Sequence, residues 1–234
     1  IFLFLASAMM CLGLSALYHL LGTANAAWAN LLGALDLAGV TGLIVGSFVP
    51  LLSLGFHEHP EHRRAYTAFM CTLGTVVLTL TPTRAFLDEK YRALRTFLFV
   101  ALGFAGAVPL THLLVLRGGG DDLAGRVAFA AARTGALYLF GTAFYLGRFP
   151  ERFAPGRFDN FLPSHAIWHM IIVAAACAHY ASVMDLYLAV GLAHDPLAAP
   201  GGVAAGLAHP GIAREAVTAK HPAEFEAALL VFAG

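Results

Sequence analysis

Charge is scarce in this sequence. Only 12% of its 234 residues are Asp, Glu, Lys or Arg, where a soluble domain carries about 25%. The formal net charge is zero, so nothing suggests a nucleic-acid partner or an acidic one. Cysteine is also sparse. Cys11, Cys71 and Cys177 each lie inside an apolar run, and no C-x-x-C pair exists. That argues against a disulfide framework and against a cysteine-held zinc. There is no internal repeat and no nucleotide-binding glycine motif. Gly118 to Gly120 is only a loop, because no strand precedes it. The apolar runs lack the alternation of period two that strands would show, which excludes a barrel of short strands. No basic segment precedes the first apolar run, so a signal peptide is not expected. The chain opens on Ile1, inside that run, and reads as a piece of a longer one.

What is present is apolar. The hydrophobic share is 59% and the mean hydropathy +0.74. A helix needs about 20 apolar residues to cross a bilayer. Six stretches approach that length: 1–21, 31–54, 65–80, 96–116, 127–146 and 161–188. The expectation is an all-α fold, a polytopic transmembrane bundle of six spans over residues 1–192. A flexible tail over 193–234 should follow on the non-cytoplasmic side. It is rich in Ala, Gly, Pro and His, with a short helix expected near residues 212–232. The loops 22–30, 84–95 and 148–160 hold Arg84, Lys90, Arg92, Arg95, Arg148, Arg152 and Arg157. The opposite set holds Arg63, Arg64, Arg117 and Arg126. The richer set belongs in the cytoplasm, which puts residue 1 and the C-terminus outside.

Ionisable side chains inside a membrane helix are costly and mark functional positions. His19 ends the first span, Asp36 lies near the start of the second, and His165 and His169 lie near the start of the sixth. The topology brings all four to one face, the cytoplasmic one. His165 and His169 are spaced i,i+4 and share a helix face. Two imidazoles there can grip a cation, and His19 can supply a third nitrogen. Catalytic zinc often takes three protein ligands and leaves a fourth position for water. Asp36 could hold that water or orient a ligand. Ser15, one turn before His19, could hydrogen-bond to a ligand, water or substrate. Plainer accounts exist for each. A lone histidine near a helix end is usually interfacial, and Asp36 could simply be an acidic group favoured by the helix dipole.

Other candidates are weaker. His179 lies deeper along the sixth span and reads as a bundle contact. His112 follows Pro109 near the outer end of the fourth, too far for the same site. Arg133 should snorkel or pair with a carboxylate. His57, His59 and His62 crowd an outer loop and read as solvated rather than metal-bound.

At these residues the sequence resembles the progestin and adipoQ receptor family, which includes adiponectin receptors and haemolysin-III-like proteins. The matching pieces are Ser15-Ala-Leu-Tyr-His19, Leu35-Asp36-Leu-Ala-Gly39 and Gly46-Ser-Phe-Val-Pro50. Pro150-Glu-Arg-Phe-Ala-Pro-Gly-Arg-Phe-Asp159 and Ser164-His165-Ala-Ile-Trp-His169 follow. The short motifs gain specificity from their order and from the proline-bounded loop between them, over about residues 1–188. The resemblance is strongest to the adiponectin-receptor branch. It implies a seven-helix bundle with a cytoplasmic amino end, and zinc held by His19, His165 and His169. It places Asp36 against the water on that zinc and assigns the motif serine to Ser15. It links the branch to ceramidase-like hydrolysis of a lipid amide and to an extracellular ligand. This chain shows six candidate spans to the family's seven; the family's first helix and its E-x-x-N-x-x-x-H element are not in it.

Three functions follow. The first is a zinc-dependent membrane receptor that hydrolyses a membrane lipid such as ceramide. The second is a signalling receptor whose zinc is purely structural. The third is a proton or ion transporter, disfavoured because the polar residues gather at one end. The setting is an integral membrane, plasma or internal.

Overall fold

The computed structural model describes residues 1–22, 26–81, 83–118, 120–158 and 162–193. The expected tail lies outside these residues, except Ala193, which ends the last helix, and so does the short helix expected near 212–232. Ile1–Leu188 form one compact unit, which holds every residue of the site described below. Every described element is helical: α1 (Phe2–Leu21), α2 (Ala26–Gly55), α3 (Pro60–Leu80), a short α4 (Arg84–Leu87) and a 3-10 turn (Glu89–Tyr91). Then come α5 (Arg92–Ala105), α6 (Ala107–Arg117), α7 (Asp122–Gly147) and α8 (Ser164–Ala193).

Five of these segments are long and apolar enough to cross a membrane: Phe2–Leu21, Trp28–Gly55, Glu89–Arg117, Asp122–Gly147 and Ser164–Gly191. The third expected span, α3, has 21 residues but does not meet the same measure of apolarity. Glu61, Arg63 and Arg64 occupy its first turns. Pro60 at its first position starts it cleanly, where no N–H is required.

Inside lipid, helices associate through close packing more than through the hydrophobic effect, and small residues let backbones approach. The pairing of α1 with α2 shows this. A Cβ added at Gly39 would come 2.9 Å from the Cys11 Cα. At Gly46 it would collide with the Ser7 side chain. Both glycines are therefore needed for the approach that sets Ser15 and His19 beside Asp36. The expected fourth span is divided. Pro109 has no N–H to bond the Ala105 carbonyl, and the turn tightens as the Gly106 N–H donates to Gly103 O at 3.2 Å. A Cβ at Gly106 would also strike the Phe48 ring.

A core of Leu51, Leu52, Phe56, Met70, Leu113 and Val127 fills the bundle end where α2, α3, α6 and α7 meet. A smaller cluster of Phe4, Ala8, Cys11 and Leu43 packs on Ile172, Ala176 and Tyr180 of α8.

Candidate metal centre

Three helices supply the site. On α1, Cys11, Ser15 and His19 recur every four residues and so form one face. Cys11 and Ser15 are buried and His19 is exposed in the last turn. On α2, Asp36 is half-buried, with Ser15 and His19 as its polar neighbours. The helix begins at Ala26, five residues before the expected start. Asp36 therefore lies in the third turn, beyond the first-turn reach of the helix dipole. The dipole account of this aspartate does not fit that depth. Ser15 Oγ is buried with no hydrogen-bond partner.

On α8 the helix start is fixed by Glu151. Its Oε1 accepts the Ser164 N–H at 2.8 Å and the Ser164 hydroxyl at 2.7 Å. Burial pushes the Glu151 carboxyl up, but its own backbone N–H, the two Ser164 bonds and the nearby Arg148 outweigh this and hold it below the usual range. Ser164 is 4% exposed, so the cap is a packed joint, and His165 follows directly.

The three histidines converge. His165 Nε2 lies 3.1 Å from His19 Nε2 and 3.1 Å from His169 Nε2. One ligand atom from each residue falls within 4.8 Å of the others. A neutral imidazole nitrogen is either donor or acceptor. His165 Nε2 faces two other nitrogens and cannot satisfy both, so hydrogen bonding alone leaves lone pairs opposed. A cation at their centre removes that conflict. Ligand nitrogens on a tetrahedral zinc at 2.0–2.1 Å stand about 3.3 Å apart, close to the separations here. The donor set fits a borderline divalent metal of the zinc, copper or nickel kind.

Aromatic rings wall this centre. The Tyr145 ring lies 5.6 Å from His165 and 5.2 Å from Trp168, and Trp168 lies 4.7 Å from His169. Arg92 sits over Tyr145 at 5.2 Å. Ser15, Asp36, His165 and His169 also line a cavity of about 550 Å³ that continues between apolar side chains such as Val40, Leu43, Phe48 and Phe99. A polar end beside an apolar chamber suits a long apolar molecule with one reactive polar group.

Some participants were not legible beforehand. Arg95 is expected as a loop charge just before a span at residue 96. Instead it is 9% exposed, within α5, and lines the cavity. It donates to Phe86 O and, at 3.0 Å, to Asp88 O. Tyr145 and Glu151 were likewise unassigned, although Glu151 belongs to a motif quoted above. The weaker candidates fall elsewhere, apart from His179. It is a buried bundle contact, 3.4 Å from Thr134 Oγ1 and against Phe4, and it reaches the same cavity. Arg133 meets no carboxylate among the described residues. It bonds Ala178 O and Ser182 Oγ of α8 instead. The backbone and hydroxyl oxygens of a neighbouring helix thus take the role expected of an acid. His112 bonds Tyr66, far from the centre.

A family model described as haemolysin-III related matches residues 1–180. The chain belongs to the haemolysin-III-related family. Within it, the sequence is 32% identical over 183 residues to an adiponectin receptor protein of Drosophila melanogaster, covering 78% of this chain and 41% of that protein. It is 32% identical to progestin and adipoQ receptor-like protein 1 of Caenorhabditis elegans, over 80% of this chain and 43% of that one. It is 36% identical to the heptahelical transmembrane protein ADIPOR2 of Oryza sativa subsp. japonica, over 77% and 78% of the two chains. The chain spans about half the length of most of the curated relatives it matches. With five apolar helices of spanning length and relatives named as transmembrane, this family member is an integral, multi-pass membrane protein of adiponectin-receptor type.

Proposed function

We propose that this chain is the bundle of a zinc-dependent membrane receptor that hydrolyses a lipid amide of the ceramide class. The observation that carries this reading is the convergence of three histidine nitrogens within 4.8 Å of one another, with Asp36 beside them. His19, His165 and His169 hold the ion. When bound, zinc supplies a water activated near neutral pH and a Lewis acid for a carbonyl oxygen. Asp36 orients that water and accepts its proton. The amide C–N bond breaks, the acyl carbon takes the water's oxygen, and the amine leaves with the proton that Asp36 carries. The buried Ser15 hydroxyl hydrogen-bonds to Asp36 or to the lipid's polar group. The apolar cavity takes the acyl chain. The asymmetry of Lys and Arg between the loops supports a cytoplasmic position for the site.

Elemental analysis of the purified protein tests this. One equivalent of zinc fewer in His165→Ala/His169→Ala than in the parent supports the site and licenses a ceramide hydrolysis assay. An absence of zinc from both defeats the reading.

A second reading has its own support, since the Drosophila relative is named as a receptor. There zinc only ties α1, α2 and α8 together, and an extracellular ligand shifts the bundle. Asp36→Asn separates the two. Zinc retained with hydrolysis lost favours the enzyme. Signalling that persists with no hydrolysis in the parent favours the receptor.

A further inference from the structure

A second group of side chains able to ligate a metal lies at the other end of the bundle. Asp36 and Gly55 are about 28 Å apart along α2 at 1.5 Å per residue. Just past Gly55 the chain turns into α3 and places several histidines together. His59 caps α3 and His62 lies one turn in, so the two face the same side, with Tyr66 a further turn along. The His62 ring is 4.9 Å from the His112 ring of α6, and the His59 ring is 5.8 Å from His62. The first lies within the 4.7 to 5.5 Å between rings in the three-histidine centre and the second just beyond it, with His62 between the other two. All of these side chains are half-buried.

Two local features fix the arrangement. Pro60 at the first position of α3 sets where His59 leaves the helix. The break before α6, caused by Pro109, turns His112 toward α3. Tyr66 Oη and His112 Nδ1 are hydrogen-bonded at 2.8 Å. With Nδ1 engaged, Nε2 is the ring position left for a cation, the usual way in which a partner group orients a ligating histidine.

The geometry points to a second metal site, built from His59, His62 and His112, for a borderline divalent cation such as Zn2+. Three imidazoles are the donor set such ions favour. Only the inner histidines have three ligand atoms already within 4.8 Å of one another among the described residues. The outer site is more open, so the cation draws its rings in and braces α3 against α6. His57 is no part of it. Its Nδ1 donates to Leu54 O at 2.8 Å, and Arg117 Nη2 lies 3.5 Å from the same ring, a cation that would repel another. This site stands independently of the proposal for the inner one.

The experiment uses the whole protein in lipid nanodiscs, stripped with chelator and titrated with Zn2+ alone. Bound zinc is counted in the parent, in His62→Gln/His112→Gln and in His165→Ala/His169→Ala. The expected result is that each double variant loses one of two sites and keeps the other. A parent and a His62→Gln/His112→Gln variant that bind the same amount of zinc would overturn the outer site. If that variant fails to fold, two measurements decide instead. In the parent, Zn2+ should protect His59, His62 and His112 from diethylpyrocarbonate; equal modification with and without zinc rejects the site. Tyr66→Phe should weaken the outer affinity by about 10- to 100-fold, and an unchanged affinity rejects the site's orienting contact from Tyr66 to His112.

Discussion

Glu151 accepts both the backbone N–H and the hydroxyl of Ser164, at 2.8 and 2.7 Å, so the loop after α7 holds the first turn of the helix that bears His165 and His169. Removing that carboxylate frees the start of α8. Glu151→Ala should cost about 1–3 kcal/mol of stability, the range for hydrogen bonds to a charged group, and should weaken metal binding as His165 loses its fixed position. Thermal unfolding in detergent and zinc titration read the two effects. An unchanged midpoint would remove the cap from the account.

The same contact has a pH signature. The Glu151 carboxyl titrates below its usual value of 4.5 in the folded protein. A depressed carboxylate adds stability that is fully present above the unfolded value and is lost as pH falls through the folded one. Stability should therefore be insensitive to this group near pH 7 and decline below about pH 4. Glu151→Gln should flatten that acid limb. If the parent and the variant lose stability in parallel through this range, Glu151 is not the group responsible.

Asp121 offers a control remote from His19, His165 and His169. It caps α7 through the Ala124 N–H at 2.7 Å and pairs with Arg117 at 3.2 Å. Those hydrogen bonds, the Ala124 one foremost, hold its carboxyl below the usual range against the opposing effect of burial. Asp121→Ala should cost about 1 kcal/mol, as the loss of an N-cap does, without altering the zinc held by His19, His165 and His169. Asp121→Asn, itself a good cap, should cost less. Zinc lost from the inner three histidines in Asp121→Ala would mean that the two ends of the bundle are coupled.

How far the sequence spoke for itself depends on the reach of each signal. Apolar runs of spanning length are local and survive any fold, so five of the six stretches emerge as spans. The third is helical as expected but falls short of the same apolar measure, because Arg63 and Arg64 sit inside the helix rather than before it. The i,i+4 spacing of His165 and His169 was legible for the same local reason. The depth of Asp36 was not, since nothing in residues 26–30 announces a helix start five residues early. Arg95 was read as a loop charge because its partners, the carbonyls of Phe86 and Asp88, are presented by a short turn with no hydropathy signature. The partners of Arg133 are illegible for a related reason: they are the Ala178 carbonyl and the Ser182 hydroxyl of α8, and neither carries a charge that a sequence would show.

Gly39 tests whether the contact between α1 and α2 builds the site. A Cβ there would lie 2.9 Å from the Cys11 backbone, and a backbone cannot step aside as a flexible side chain can. Gly39→Leu should separate the helices and move Ser15 and His19 away from Asp36. The expected loss is about 1–3 kcal/mol, as for other overpacked positions, with reduced zinc content. Gly13, which has open space around it, is the matched position where Gly13→Leu should leave zinc unchanged. Equal effects at the two positions would mean that helix propensity or membrane insertion, and not this contact, governs the result.

Asp36→Asn bears most directly on the chemistry. The amide keeps the size of the carboxylate and loses its capacity to accept a proton at neutral pH. Because the three histidines converge without Asp36, zinc should remain bound. Hydrolysis of a ceramide-like lipid should fall by about 100- to 10,000-fold, the usual contribution of a positioned general base. The split between metal content and rate is the informative part. Zinc and rate lost together would make Asp36 a support for the ligands, and both retained would assign the proton transfer to another group.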